Sequence, residues 1–189
     1  MPRWSASTKD LPSATASWKP QAGTDGSEGA DCVSSTTPVC FGDAMFWAYD
    51  VALGILLAEA AHVAEGSLED PQPSRRRELI QQLRVIAVVG ADFALPIDEL
   101  DADQQTWLLS WVQEACSRLT ARGAVSSAEV AGWDVLDGET IHLRGADHVA
   151  AAPLVELGQA IAQLTAGTLP PAPKGKHWFF GTPSGRCSI

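Results

Sequence analysis

The sequence predicts an α+β domain of about four helices and two β-hairpins, preceded by a polar arm. Three observations carry this reading. The composition breaks near residue 40, four stretches beyond the break are apolar at helical spacing or throughout, and two short alternating segments close on glycine-containing turns.

Residues 1–40 contain 19 Ser, Thr, Gly or Pro, with only Leu11, Val33 and Val39 as larger aliphatics. Such a segment cannot bury enough apolar surface to offset the entropy of ordering it. It reads as a flexible arm in which Trp4 and Trp18 are candidate partner anchors, because one buried Trp supplies a large contact area. Residues 41–189 are long enough for a single domain with its own core.

The first helix is expected from Ala44 to about Glu65, capped by Asp43 and ended by Gly66. Its apolar residues lie nearly all round, which suits a central helix, and Gly54 within it favours close approach of a neighbour. Asp50, Glu59 and His62 interrupt the stretch too often for a membrane span. The loop 67–74 carries Pro71 and Pro73. Ser74 then caps a second helix from Arg75 to Val89, with Leu79, Leu83 and Ile86 on one face and Gly90 as terminator. Arg75, Arg76 and Arg77 oppose the dipole in its first turn and call for acidic partners, with Glu69, Asp70 and Glu78 nearest in sequence.

A third helix opens with a capping box, Asp101 and Gln104, and runs through Trp107, Leu108, Trp111, Val112, Ala115 and Leu119 to Gly123. Trp133–Leu136 and Glu139–Leu143 flank Asp137-Gly138, the strongest short hairpin signal. The fourth helix, about Ala150 to Ala166, has one stripe of Ala150, Leu154, Leu157, Ile161 and Leu164. Residues 168–173 (TLPPAP) form a stiff extended linker. From Lys174 on, a basic and aromatic second hairpin is expected, with strands at 177–180 and 186–189 joined by a Gly-Thr-Pro-Ser-Gly turn. The two hairpins are expected to pair as one small antiparallel sheet.

The net charge is −10, and residues 41–110 carry twelve acids against four bases. That field repels nucleic-acid phosphate and anionic lipid and attracts a basic protein. A winged-helix reading fails because the helix before the first hairpin has no basic face. Asp92, Asp98, Glu99, Asp101 and Asp103 crowd one segment without the spacing of a calcium loop. Cys32, Cys40, Cys116 and Cys187 have no metal-ligand spacing and are expected as thiols. No apolar signal segment occurs in residues 1–30, so a cytoplasmic location is expected. The abundance of Ala and Val, with Arg favoured over Lys, suggests a bacterial source.

No nucleophile elbow or phosphate loop is present, and neither metal nor cofactor is expected. The leading expectation is therefore a non-catalytic protein-interaction domain, adaptor-, inhibitor- or immunity-like. Its contacts are Trp4, Trp18, Asp98, Glu99, Asp101 and Asp103, its partner is basic, and self-association is compatible with it. The alternative is a small enzyme or ligand-binding subunit whose pocket is lined by Trp107, Trp111, Trp133, His142, Arg144, His177 and Trp178. A further alternative is a ribosomal peptide precursor, with modifiable Thr, Ser and Cys in the C-terminal segment.

Overall fold

The computed structural model describes residues 36–66, 73–90 and 94–189. Of the arm expected over 1–40, residues 1–35 with Trp4, Trp18 and Cys32 lie outside the described residues, as do the loop acids Glu69 and Asp70, and Asp92.

The fold is α+β. Strands β1 (Thr36–Phe41) and β2 (Ala44–Tyr49) form a hairpin, followed by helices α1 (Asp50–Gly66) and α2 (Pro73–Val89). A short strand β3 (Leu95–Pro96) and a 3-10 turn (Ile97–Glu99) lead into α3 (Ala102–Arg122). Then come β4 (Ala124–Ser126), α4 (Ser127–Ala131), β5 (His148–Ala150), α5 (Ala151–Thr165), β6 (Trp178–Phe180) and β7 (Cys187–Ser188). Among the described residues these make five helices, one sheet in the order β3-β1-β2-β6-β7, and a separate β4-β5 pair.

The sheet is mixed rather than antiparallel. β1–β2 and β6–β7 are antiparallel hairpins, while β3 joins β1 and β6 joins β2 in parallel. The C-terminal hairpin is thus present where the sequence predicts it, with Trp178 opposite Ser188.

The first helix begins at Asp50, not Ala44. Residues 44–49 instead alternate as a strand, with Phe46 and Ala48 turned into the core. A stretch apolar on every side satisfies strand and helix periods equally, so the boundary is invisible to pattern alone. The deciding feature is the turn at Gly42-Asp43. Gly42 takes φ +57°, and a glycine at the first central position is what a II′ hairpin turn requires. Asp43 is therefore a turn residue, and Asp50 takes the helix terminus, its Oδ1 accepting from the Val51 amide at 2.8 Å. Residues 36–40, assigned by composition to the arm, form most of β1, because pairing with β2 buries Thr37 and Val39.

The hairpin expected at 133–143 does not propagate. Its turn forms, with positive φ at Asp137 and Gly138, but Leu136 and Glu139 make the single bridge. Beyond the turn, Thr140 Oγ1 donates to the Val130 carbonyl at 2.6 Å, and Ile141 and Leu143 bury in the core. Those contacts draw the second arm away from the first.

Of the remaining helices, α3 and α5 follow the sequence closely, α2 starts at Pro73 so that Ser74 lies inside it, and α4 was not expected. α3 carries the capping box: the Asp101 side chain accepts from the Asp103 and Gln104 amides, and the Gln104 side chain accepts from the Asp101 amide. The stripe Leu154, Leu157, Ile161 and Leu164 of α5 is buried. α1 is central, its residues covered along nearly the whole length. A Cβ at Gly54 would lie 2.6 Å from the Ala87 carbonyl oxygen, so the α1–α2 contact exists only because that side chain is missing.

Candidate functional site

Three solvent-facing concavities carry the side chains with chemical potential. The largest lies between α2 and the segment leading through β3. The inner face of α2 is anchored by Leu79, Leu83 and Ile86. This leaves Glu78, Gln81 and Gln82 exposed, Val85 half-buried and Val89 largely uncovered. Glu78, Gln81, Gln82, Val85 and Ile86, together with Ala94, Pro96 and Glu99, enclose an open groove of about 540 Å³. Its floor is Val85, Ile86, Ala94 and Pro96, and its rim carries Glu78 and Glu99. Neither glutamate has an ion-pair partner among the described residues. The groove sits beside the edge strand β3, whose Pro96 blunts that edge against strand addition.

The acidic cluster is divided in its roles. Asp101 caps α3 and pairs with Arg75, and Asp103 lies 3.9 Å from the same guanidinium. Asp98 and Glu99 are exposed, and only Glu99 of the two lines the groove. The arginine run of α2 is explained by its neighbours: Arg76 donates to the Ala64 carbonyl near the end of α1 at 2.7 Å and lies over the Trp111 ring. A cation at a helix C-terminus offsets the dipole there.

The second concavity, about 180 Å³, is bounded by Asp50, Val51, Ala87, Val88, Gly90, Ile141, His142 and Arg144. Asp50 is buried and pairs with Arg144, whose backbone holds φ +50°. Burial raises the Asp50 carboxyl above the usual carboxylate range, against the opposing pull of the Val51 amide and the Arg144 guanidinium. Carboxylate, guanidinium and imidazole meet here, but no hydroxyl or thiol nucleophile lines the cavity.

The third, about 400 Å³, lies under the proline segment between α5 and β6. Leu169 and Ala172 are half-buried while Pro170, Pro171, Pro173 and Lys174 are exposed. That three-residue alternation is the repeat of a polyproline II strand with one edge on the body. Trp178 Nε1 donates to the Pro170 carbonyl at 2.8 Å and fixes the strand in place.

The expected tryptophan pocket is thus divided among separate packing environments. Trp107 and Trp111 stack on α3 at 6.4 Å, and Trp111 is buried. Trp133 meets His62 edge to face at 5.7 Å. His142 and Arg144 share the Asp50 cavity, and His177 and Trp178 share the one under the prolines. Compared with protein families, characterised proteins and solved structures, the chain matches none. What it does must be argued from these surfaces.

Sequence reasoning missed the apolar floor of the first groove and the role of Asp50. Val85 continues the stripe of Glu78 and Gln82, but a valine on an exposed face gives no signal until Pro96 is seen beside it. Among the described residues no group of three or more His, Cys, Asp or Glu is placed to hold a metal ion, and no helix is long and apolar enough to cross a membrane. Cys40 and Cys116 are free thiols, and burial pushes both above the usual thiol range. Across the C-terminal hairpin, Cys187 faces Phe179 while the His177 backbone bonds Ile189, so the two are not cross-strand partners. The glycine turn satisfies its own hydroxyls, with Thr182 Oγ1 bonded to the Gly185 carbonyl and 3.1 Å from Ser184 Oγ.

Proposed function

We propose that this protein is a non-catalytic interaction domain that holds a basic, apolar-anchored segment of a partner protein in the groove between α2 and β3. The observation that carries this reading is the groove itself, an apolar floor with Glu78 and Glu99 on its rim. An apolar floor supplies affinity, and unpaired rim carboxylates select a cationic partner and speed its encounter. The acid excess of residues 41–110 supplies a long-range field of the same sign. A cytoplasmic, bacterial adaptor or inhibitor fits these features, and the same field disfavours nucleic acid as the partner.

The enzyme alternative draws its support from Asp50, His142 and Arg144 around one small cavity. It is the weaker reading because Asp50 and Arg144 already satisfy each other. The peptide-precursor alternative requires release of a segment whose Phe179 and Phe180 are core residues.

The test is a photo-crosslinking amino acid at Gln82 of the full chain, irradiated in the source cell. The expected result is a stoichiometric adduct to a protein whose crosslinked peptide is rich in Lys or Arg. The adduct should fall by roughly tenfold or more when Glu78→Lys and Glu99→Lys are combined. An adduct indifferent to that charge reversal, or none at all, rules the reading out.

A further inference from the structure

The groove under the proline strand has a character opposite to the rest of the molecule. In a chain of net charge −10, Lys174, Lys176 and His177 stand together on its rim, and no acid occurs from residue 174 on. All three are exposed, and none has an ion-pair partner among the described residues. Arg186, the other base of this region, is already occupied: it lies 4.6 Å over the Trp178 ring and 4.0 Å from Glu156. Asp43 also lines the groove and is its one carboxylate among the described residues.

The floor below is apolar, made by Met45, Leu164, Leu169 and the Trp178 ring. The scaffold is stiff. Prolines preset the backbone of the strand, the Trp178 indole holds it, the Lys176 amide closes a turn on the Pro173 carbonyl at 2.9 Å, and His177 exchanges backbone bonds with Ile189. Cationic rim and apolar floor are therefore preformed at a cavity of about 400 Å³, within the range of small-molecule sites.

We propose that this groove binds an amphiphilic anion: a small molecule with one carboxylate or phosphate head held by Lys174, Lys176 and His177, and an apolar body laid along Trp178, Leu169 and Met45. Ammonium and imidazole donors on the rim supply charge-assisted bonds to the head, and the floor supplies burial for the body. Asp43 disfavours a polyanion and fits a ligand with a single charged end. This site is independent of the acidic groove beside β3, which lies at the other edge of the sheet.

The test uses the fluorescent anion 1-anilinonaphthalene-8-sulfonate and its uncharged relative N-phenyl-1-naphthylamine on the intact chain. The expected result is saturable binding of one sulfonate per chain, weakened roughly tenfold or more by Lys174→Gln with Lys176→Gln, while the neutral probe binds both proteins alike. Both lysines are exposed, so the variant should keep its fold, and an unchanged circular dichroism spectrum verifies this. Competition separates the sources of the head group: displacement by decanoate marks a free acid, and displacement only by phosphatidylglycerol vesicles marks a lipid. No saturable sulfonate binding, or binding unchanged in the variant, overturns the proposal.

Discussion

At the scale of single residues, two buried polar groups set testable limits on stability. Thr37 is fully buried in β1, and its hydroxyl has no hydrogen-bond partner among the described residues. An unsatisfied buried hydroxyl costs free energy that an isosteric methyl does not. Thr37→Val is expected to stabilise the fold by about 1 kcal/mol, read as a higher urea midpoint; a lower midpoint would show that the hydroxyl is satisfied in solution. Asp50 makes a pH prediction. Its carboxyl is raised above the ordinary 3.8, so the folded chain holds that proton more tightly than the unfolded one. The resulting contribution to stability is complete below 3.8 and is lost as pH rises through the folded value. The groups around it are the Arg144 guanidinium, the Val51 amide and the His142 imidazole that shares its cavity. Asp50→Asn removes that loss, so urea midpoints should fall less steeply as pH rises above 3.8 than in the parent protein. Identical slopes would refute the assignment. Neither residue stood out in the sequence. Thr37 sits in a segment whose composition signals an arm, and Asp50 looks like an interruption of a helix that it in fact begins.

At the scale of elements, legibility followed the local chemistry. α3 was readable because its capping box and terminal glycine are local signals that the structure uses unchanged, with Gly123 at φ +77°. α5 was readable because its stripe has a single period. The β1–β2 hairpin was not, since its Gly-Asp turn precedes a stretch whose apolar residues fit a helix as well as a strand. α4 escaped notice because five residues hold too little pattern, although Ser126 caps it by accepting from the Glu129 amide at 3.1 Å. Of the candidate site, Glu99 was visible as charge, but its apolar neighbour came from α2, across a gap in sequence that no local pattern spans. The α1–α2 contact offers the sharpest element-level test. At Gly54 the obstructing atom is a backbone carbonyl oxygen, which cannot rotate away. Gly54→Ala is expected to destabilise by about 1–3 kcal/mol despite its better helix propensity, measured by urea unfolding. A stabilised variant would mean that the two helices separate freely.

At the scale of the whole molecule, charge and topology are arranged along one sheet. The acid-rimmed groove borders β3 at one edge, and the cation-rimmed groove borders β6 toward the other. The C-terminal hairpin also covers the core, since Phe180 meets Phe46 at 5.0 Å. Removing residues 178–189 should leave β2 as an open edge beside an uncovered Phe46. The expected outcome is aggregation on size-exclusion chromatography and a weakened near-ultraviolet circular dichroism signal. A monodisperse, native-like product would show that the hairpin is an appendage.

The parallel pairing of β2 with β6 sets the order in which this molecule can be built. Trp47 pairs with Phe179, so a strand made before the helices waits for one made after all five of them. While the ribosome is still extending the chain, β1 and β2 can close locally, and α1, α2 and α3 can gather on them. The exposed β2 flank remains unpaired until β6 leaves the exit tunnel. Completion of the sheet therefore comes after all five helices have been made, and a nascent chain stalled short of β6 would carry a sticky edge.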